Sequence, residues 1–440
     1  MIPGSSFPAA GKGRVPAIDS GEYNRLLSGG SPYPAPSQFN PMPRFGLAYS
    51  MTGKQVLRAG FGGFMARPGV YDSVFLGGNP PWQPMVSVTN GIADNPGGGP
   101  RVAFPQFFMT IDPAYKIPRA YNWNLTYERE IGFETKLEVG YVGTTSNYLS
   151  RERDLNQLAP GTTFKTENAG ANVNYLRPFK GYANIPMLEH SGRSKYNGLQ
   201  IEATRRFKSS LAYGFAYTYS KTMDNNSGPR DGFYDVFNQS LNWGKSNNDT
   251  RHVAVINFVY ELPVLRNNRS LAGKVAGGWQ ISGVIQAQTG TPFTIGTGDD
   301  FYGIGSTNSK PWNLNGTTTL PKQFSHANAA GNYVGDTNFY FMPTVSGQPW
   351  ATKPANGTYG NQNRNSISFN NVGVQNWNLS MFKQFRITER QGFQFRFEAF
   401  NWPNHPNWSG VDTGPTSANF GKVTGKGSER NLQLSLRYNF

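Results

Sequence analysis

The chain has 440 residues, a net charge of +15 and no cysteine, so it forms no disulfide and uses no thiolate chemistry. Only 37% of the residues are hydrophobic and no run of about 18 apolar residues occurs, which argues against a transmembrane helix. Glycine, proline and aromatic residues are abundant, as is typical of an all-β protein with long loops. The basic residues form no concentrated run and no recognition motif, so the charge does not predict a nucleic-acid partner.

The first 43 residues differ in pattern from the rest of the chain. Residues 1–43 are rich in glycine, proline and serine and lack the basic start, apolar stretch and cleavage site of a signal peptide, so we interpret them as a loop-rich segment. In residues 44–440, apolar and polar residues alternate over many short segments. Because successive side chains of a strand point to opposite faces, each segment predicts a strand with one apolar and one polar face.

The alternation predicts about eleven strands. In chain order they are Arg44–Met51, Gln55–Met65, Ala120–Glu130, Thr135–Gly143, Tyr196–Arg206, Leu211–Lys221, Arg251–Leu262, Trp279–Gly290, Val374–Ile387, Gly392–Trp402 and Asn431–Phe440. The last segment is the clearest, because all its apolar residues share one face: Leu432, Leu434, Leu436, Tyr438 and Phe440. A shift of register by one residue would exchange its apolar and polar faces completely.

The connections between these strands alternate between short and long. Thr52–Lys54 and Ile131–Phe133 are tight turns, whereas residues 291–371 form a long loop. Outer-membrane barrels show this pattern, with short periplasmic turns, long extracellular loops, apolar side chains towards lipid and polar side chains towards the lumen. The sequence therefore predicts an all-β fold, an antiparallel transmembrane β-barrel, with its strands in residues 44–440 and residues 1–43 in an extracellular loop. Because single-chain bacterial barrels have even strand numbers, the odd count predicts only part of a barrel.

Several segments, taken in order, resemble a known family. They are PRFGLAY at Pro43–Tyr49, YNWNLTYERE at Tyr121–Glu130, YNGLQIEATRRF at Tyr196–Phe207, DTRHV at Asp249–Val253 and FRFEAFNWPNHP at Phe395–Pro406. From about Pro43 to Phe440, the chain resembles the Oar-like, acidobacterial type of TonB-dependent receptor.

The resemblance implies a place in the outer membrane of a Gram-negative-type bacterium, in contact with outer-membrane lipid. It implies energy-coupled uptake of a large ligand, such as a carbohydrate or a peptide, through a 22-stranded barrel. This chain would supply roughly the second, C-terminal half of that barrel. The TonB energy transducer would act only through a plug domain, which we do not expect in this chain. Two alternatives stay open: an adhesin-like barrel that binds at the cell surface through its loops without transport, and a passive porin.

Charged residues within the strands are candidates for a polar network in the lumen, where they would contact a plug. They are Lys136, Glu138, Arg205, Arg396, Glu398 and Arg437. The aromatic end of the last strand, Tyr438 and Phe440, resembles the signal that the barrel-assembly machinery reads. We expect the other strand aromatics to face lipid or to form interfacial girdles.

Aromatic residues in the loops are candidates for ligand binding, because aromatic side chains beside asparagine and aspartate suit the recognition of sugars and peptides. These candidates are Trp82, Tyr234, Phe237, Trp243, Phe301, Tyr302, Trp312 and Tyr340. The alternative is that the loops pack on one another over the barrel mouth.

No pattern predicts a cofactor or an enzyme. The four histidines lack metal-ligand spacing, and no serine, histidine and aspartate arrangement predicts a nucleophile. Asp224, Asp231 and Asp235 lie in one loop and offer the oxygen ligands that calcium prefers, but their spacing is not that of an EF-hand and Asx-rich turns give the same pattern. We predict no metal, no cofactor and no catalytic residue.

Overall fold

The computed structural model describes residues 40–66, 87–88, 93–94, 101–102, 108–112, 114, 116–265, 270–320 and 339–440. Trp82, a predicted ligand contact, lies outside these residues. The described chain is almost entirely strand and loop, which confirms the predicted all-β class. Its long strands are β1 (Arg44–Thr52), β2 (Gln55–Met65), β3 (Arg119–Ile131), β4 (Thr135–Asp154), β5 (Pro186–Lys208), β6 (Leu211–Asp224), β7 (His252–Glu261), β8 (Trp279–Gln288), β9 (Val374–Arg386), β10 (Gly392–Phe400) and β11 (Asn431–Asn439).

These strands form one sheet in chain order, each antiparallel to the next. Among the described residues, β1 and β11 lie at the two ends of the path and each pairs along one edge only, so the sheet is open. All nine residues of β1 are exposed, as are all but the last of β11. Among the described residues, the strands therefore form a wall with two unpaired edges, at β1 and β11.

Strand register joins the apolar side chains into one continuous face. A typical row crosses five strands from β5 to β9, through residues directly opposite one another: Ala203, Phe215, Ile256, Ile285 and Trp377. Ile256, in the middle of this row, is exposed, because no layer formed by the described residues covers this face. The predicted alternation is thus present. The apolar residues share one face of the wall, which we call the outer face, and the polar residues share the other, the inner face.

A close approach between β3 and β4 shows how the outer face accommodates large rings. Trp123 lies opposite Gly143, and a Cβ built on Gly143 would overlap the indole. Glycine at this position therefore lets the Trp123 ring lie flat against the neighbouring strand.

Two strands are longer than the alternation predicts. β4 continues to Asp154 and β5 begins at Pro186, and the two pair along this extension after a bulge near Asn147 and Leu149. Arg153 and Glu189 form an ion pair there, with Arg153 Nη2 donating to Glu189 Oε1 at 3.1 Å. The extension contacts loops instead of lipid, so its residues do not alternate in polarity.

The remaining elements are short. Two helices, α1 (Val173–Leu176) and α2 (Leu271–Ala276), accompany 3₁₀ turns at Thr162–Phe164, Thr166–Asn168 and Gln239–Asn242. Five pairs of short strands form separate two-stranded sheets: Ser87–Val88 with Arg101–Val102, Gly296–Thr297 with Lys310–Pro311, Asn313–Leu314 with Ala351–Thr352, Thr344–Val345 with Gln348–Pro349, and Trp408–Val411 with Val423–Lys426. Two further short strands join the large sheet. Gly244–Lys245 pairs with β6, and Thr110–Ile111 runs parallel to β5. None of the described helices has the length and apolar character needed to cross a membrane.

Helix α2 lies in the connection between β7 and β8, and side chains define both its ends. The Ser270 hydroxyl accepts a hydrogen bond from the Gly273 amide at 3.3 Å. At the other end, buried Lys383 of β9 donates to the carbonyls of Val275 (2.8 Å) and Gly277. A lysine on the apolar face is thus held by carbonyls at the rim.

Candidate functional site

The long loops at one rim build a hydrophobic core of their own, which we call the loop core. Its buried side chains are Leu241, Phe293, Ile295, Phe301, Tyr302, Ile304, Trp312, Phe341, Trp350, Ala351, Ile367 and Phe420. The ring centroid of Phe341 lies 5.0 Å from that of Trp350 and 5.1 Å from that of Phe420. Residues from three different loops therefore pack as tightly as the interior of a soluble protein.

The structure divides the described aromatic ligand candidates into three groups. Phe301, Tyr302 and Trp312 are buried in the loop core and contact other loop residues, as in the alternative in which the loops pack on one another. Tyr234 and Tyr340 are half-buried at its margin. Two further predicted residues point outward, Phe237 at 63% and Trp243 at 40% exposure. Among the described candidates, those at the margin and on the outer surface of the loops are thus open to a ligand.

A cavity of about 580 Å³ opens beside the loop core, and we call it the loop cleft. Its lining combines aromatic rings with amides, hydroxyls and charges, including Phe233, Tyr234, Asn242, Asn308, Ser309 and Arg364. Burial raises the pKa of the Tyr234 phenol, so this hydroxyl stays protonated at neutral pH. Rings together with converging hydrogen-bond groups are the features of a site for a polar organic ligand.

Arg364 anchors the loops around this cleft. Its guanidinium pairs with the Asp224 carboxylate and donates to the Asp224 carbonyl at 2.8 Å, and both side chains are almost fully buried. The same group donates to the Ser227 hydroxyl at 2.8 Å and to the Asn242 carbonyl at 2.9 Å. One side chain from the loop before β9 thus connects to the end of β6 and to the loop that follows it.

The three aspartates considered as calcium ligands have structural partners instead. Asp231 accepts hydrogen bonds from the amides of Ser227 (2.8 Å) and Gly228 (2.9 Å). Asp235 accepts from Gln157 Nε2 at 2.6 Å and from the Tyr359 hydroxyl, and Asp224 pairs with Arg364. Within the described ranges, no group of three or more His, Cys, Asp or Glu side chains could hold a metal ion. These carboxylates therefore organise the loops.

A buried cation fixes the cleft edge formed by Asn308 and Ser309. The Lys310 ammonium is enclosed and donates to the carbonyls of Ser306 and Asn308, the second at 2.9 Å. Burial lowers the pKa of Lys310 to about 8. The contacts hold the end of the connection, residues 298–309, that joins the paired strands Gly296–Thr297 and Lys310–Pro311.

A second arginine, which no sequence pattern indicated, lies close to the cleft. Arg151 of β4 is fully buried, and its guanidinium carbon lies 3.6 Å from the ring centroid of Phe233, a residue of the cleft lining. Arg153 covers the same ring at 4.7 Å. The stacking of cations on Phe233 fixes one wall of the cleft. Neither arginine stands in a motif that would have revealed this role.

The polar face of the wall carries ion pairs, as expected for a wet lumen. Lys136 Nζ lies 3.1 Å from Glu138 Oε2, and Arg396 lies 3.8 Å from Glu398. Arg437 belongs to the same face, opposite Gln394. Arg58 and Glu128, which were not predicted, form a further pair. The contact of these residues with a plug stays a prediction.

Arg205 differs from its predicted position. It lies opposite Thr135 and Tyr213, in the register row that follows Ala203 on the apolar face, so it does not belong to the lumen network. Its Nη2 donates to the Lys208 carbonyl at 3.1 Å, at the short-turn rim. A long arginine side chain on the apolar face can bring its charged group to the water at the rim, so Arg205 does not need a polar lumen to stay hydrated.

The predicted assembly signal lies at the end of the apolar face. The Tyr438 ring centroid lies 5.1 Å from that of Phe393 and 6.0 Å from that of Phe440. Phe440 is almost fully exposed. The aromatic terminus is therefore accessible, and its recognition by the assembly machinery stays a prediction.

Comparisons with solved structures return outer-membrane transport proteins at low identity. The ferric-catecholate import receptor Fiu of E. coli K12 shares 9% identity, with a TM-score of 0.39 over 90% of this chain and 34% of Fiu. The outer membrane transporter YddB of Escherichia coli shares 9%, with a TM-score of 0.44 over 88% of this chain and 39% of YddB. The FrpB iron transporter of Neisseria meningitidis (F5-1 variant) shares 11%, with a TM-score of 0.43 over 91% of this chain and 40% of FrpB.

This chain thus spans between a third and two fifths of the length of these structures. No curated protein matches its sequence. The outer membrane beta barrel domain family, in contrast, matches residues 9–433, nearly the whole chain. The match agrees with the outward apolar face, the polar inner face and the long loops on one rim, and it confirms the predicted location in the outer membrane. The chain belongs to the outer membrane beta barrel domain family.

Proposed function

We propose that the chain is the C-terminal part of an Oar-like, TonB-dependent receptor that takes up a large ligand. The observation that carries the proposal is a sheet with an apolar outer face, ion pairs on the inner face and, among the described residues, two unpaired edges. A strand edge in lipid leaves backbone groups without partners, at a cost of several kcal/mol for each group. The wall therefore requires further strands, and the 22-stranded barrel implied by the resemblance supplies them.

The loop cleft is the proposed site of ligand capture. Half-buried Tyr234 offers a ring surface, while exposed Asn308 and Ser309 offer hydrogen-bond groups. Stacking on a ring together with amide hydrogen bonds favours a carbohydrate or a peptide over an apolar ligand. From the cleft, the ligand would pass along the polar inner face of the wall. In this proposal TonB acts through a plug domain that contacts the inner face.

The first experiment tests the architecture. The chain of 440 residues is refolded in detergent and run on a gel with and without heating. We expect no single compact species whose migration on the gel slows after heating, because β1 and β11 lack partners on their outer edges among the described residues. A stable, heat-modifiable monomer would contradict the proposal that this chain is part of a larger barrel.

The second experiment tests the cleft in cells that carry the natural receptor gene. Ser309→Trp fills the cleft, and Asn356→Trp places the same side chain at an exposed loop position outside it. We expect Ser309→Trp to abolish accumulation of labelled oligosaccharides or oligopeptides and Asn356→Trp to leave it unchanged. A protonophore should stop accumulation in the wild type, because transport depends on the energised inner membrane.

Loop-mediated surface binding without transport is the competing function, and the closed packing of the loop core favours it as well. It predicts the same loss of ligand binding in Ser309→Trp. It also predicts that the protonophore has no effect, so this one treatment separates the two functions.

A further inference from the structure

Five basic side chains gather at the long-loop end of the apolar outer face, and we call them the cation belt: Lys116, Arg119, Arg193, Lys195 and Lys221. Arg119 of β3 and Arg193 of β5 lie in one register row, both opposite Asn147 of β4. Two strand spacings separate them, about 10 Å. Lys221 of β6 lies opposite Asn197, two residues along β5 from Lys195.

The belt continues the lipid-facing surface directly. Lys221 follows Tyr219 on the same face of β6, and Arg119 lies two register rows beyond Trp123 on β3. One step between neighbouring rows is about 7 Å along a strand, so the charges lie within about 15 Å of the aromatic residues. Aromatic rings followed by lysine and arginine are the side chains that membrane proteins place at the lipid–water interface.

The belt carries charge that the protein does not neutralise. Arg193, Lys195 and Lys221 are exposed, and no carboxylate lies within 4.0 Å of their charged groups among the residues that the structure describes. The neighbouring positions on this face are Tyr121, Thr145, Asn147, Asn197 and Met223, none of them acidic. Nearby Arg251 differs, since it lies 3.7 Å from Asp249, and we leave it out of the belt.

The other two members of the belt are positioned by one ring. Lys116 Nζ lies 5.0 Å and the Arg119 guanidinium 4.6 Å from the ring centroid of Tyr148. Tyr148 occupies the bulge of β4 with a φ of 62°, a left-handed conformation that is uncommon for tyrosine. The bulge thus brings one ring to two cations that lie three residues apart in sequence.

We propose that the cation belt binds the phosphate groups of phosphorylated lipids in the outer leaflet. The long-loop rim of an outer-membrane barrel faces the cell exterior, so the belt lies at the level of the outer headgroups. Unpaired lysine and arginine at that level attract anionic headgroups, and arginine forms bidentate hydrogen bonds with phosphate. The proposal requires only the outer-membrane location and is independent of TonB-dependent transport.

The experiment compares two variants with the same loss of charge. The belt variant carries Arg193→Gln, Lys195→Gln and Lys221→Gln. The control carries Arg129→Gln, Arg386→Gln and Arg390→Gln, three exposed cations near the opposite rim. The protein is purified in detergent micelles from cells that carry the natural gene and is titrated with bis-phosphorylated lipid A and with the same lipid after removal of its phosphates. Native mass spectrometry reports the bound lipid.

We expect the wild type to prefer the phosphorylated lipid, the belt variant to lose at least about tenfold in affinity for it, and the control to change by less than about twofold. Equal affinity of the wild type for both lipids would overturn the proposal, as would an equal loss in the control. Displacement of the lipid by millimolar inorganic phosphate would also overturn it, since it would indicate a site for a free anion. Circular dichroism checks the fold, and Lys195→Gln and Lys221→Gln are measured singly if the triple variant does not fold.

Discussion

The strand wall and the loop core handle apolar side chains in opposite ways. On the wall, Leu434 is 69% exposed, whereas in the loop core Phe341 and Trp350 are 0% and 2% exposed. The wall gains no hydrophobic core within the described residues, so its apolar face requires lipid as its partner. The loop core follows the rules of a water-soluble protein. One chain thus combines two folding environments, and each half should respond differently to the same kind of substitution.

Charges show the same contrast. Arg364 and Asp224 in the loops have side chains only 8% and 4% exposed. Arg396 and Glu398 on the inner face of the wall are 45% and 28% exposed. The first pair is shielded from water and supported by several hydrogen bonds, while the second is partly exposed and therefore open to screening by solvent. Breaking the Arg364–Asp224 pair should therefore cost severalfold more free energy of unfolding than breaking the Arg396–Glu398 pair.

The largest effect should come from Asp224→Ala, which leaves the Arg364 guanidinium buried without its carboxylate. Breaking a buried pair from one side costs about 3–5 kcal/mol. We expect the loops to lose their packing. In guanidinium titrations, the unfolding transition reported by the fluorescence of Trp312 and Trp350 should disappear, while the strand signal in circular dichroism is unchanged. A decrease of less than about 1 kcal/mol in the free energy of unfolding of the loops would show that water reaches the Arg364–Asp224 pair.

A second contrast concerns the two faces of β11. Leu434→Arg places a charge on the lipid face, and Gln433→Arg, its matched control, places the same side chain on the inner face opposite Glu398. In vesicles we expect Leu434→Arg to destabilise by about 2–4 kcal/mol if the position lies near the bilayer centre, and Gln433→Arg to be close to neutral. Equal effects at the two positions would contradict the assignment of the faces. Urea titrations of the vesicle-inserted protein measure the difference.

A smaller effect is expected at Asn156, a buried amide beneath the loops. Its Nδ2 donates to the carbonyls of Phe179 (3.1 Å), Tyr182 (3.2 Å) and Ala183 (2.6 Å), and its Oδ1 accepts from the Phe179 amide at 2.7 Å. Asn156→Ala leaves these groups unsatisfied, and we expect a cost of about 1–3 kcal/mol, seen as faster amide exchange in residues 155–185. Unchanged exchange there would mean that water replaces the side chain.

The smallest effect should come from Glu398→Gln on the inner face. The pair with Arg396 is half-exposed and 3.8 Å long, so its loss should cost no more than about 1 kcal/mol. High salt should reduce even this difference, because it screens exposed charges. A cost similar to that of Asp224→Ala would show that the lumen excludes water at this depth, and it would remove the contrast between the two regions.

Strand faces were predictable from the sequence because lipid and water impose a period of two on the wall. The apolar residues of β6 and β11 fell on the predicted face for this reason. Arg205 did not, since a charged residue near the rim can occupy the apolar face and still reach water. Polarity alone therefore identifies the face only away from the two interfaces.

The loop region was not predictable in the same way. Phe301, Tyr302 and Trp312 appeared as surface aromatics because their segments show no periodicity, yet they are buried by partners from other loops. Arg364 lies in an asparagine-rich stretch with no motif, and its partner Asp224 is 140 residues away. Contacts between distant irregular segments leave no local pattern in the sequence, so the loop cleft became visible only in the structure.

The central claim is that the wall has one face towards lipid and one towards water, and the absence of cysteine from the chain allows a direct test. Single cysteines are placed at four consecutive positions of the central strand β6, Phe215 to Thr218, and labelled in membranes. We predict that a lipid-soluble maleimide reacts at Phe215 and Tyr217, and a charged, membrane-impermeant maleimide at Ala216 and Thr218. Labelling of all four positions by the same reagent would contradict the account.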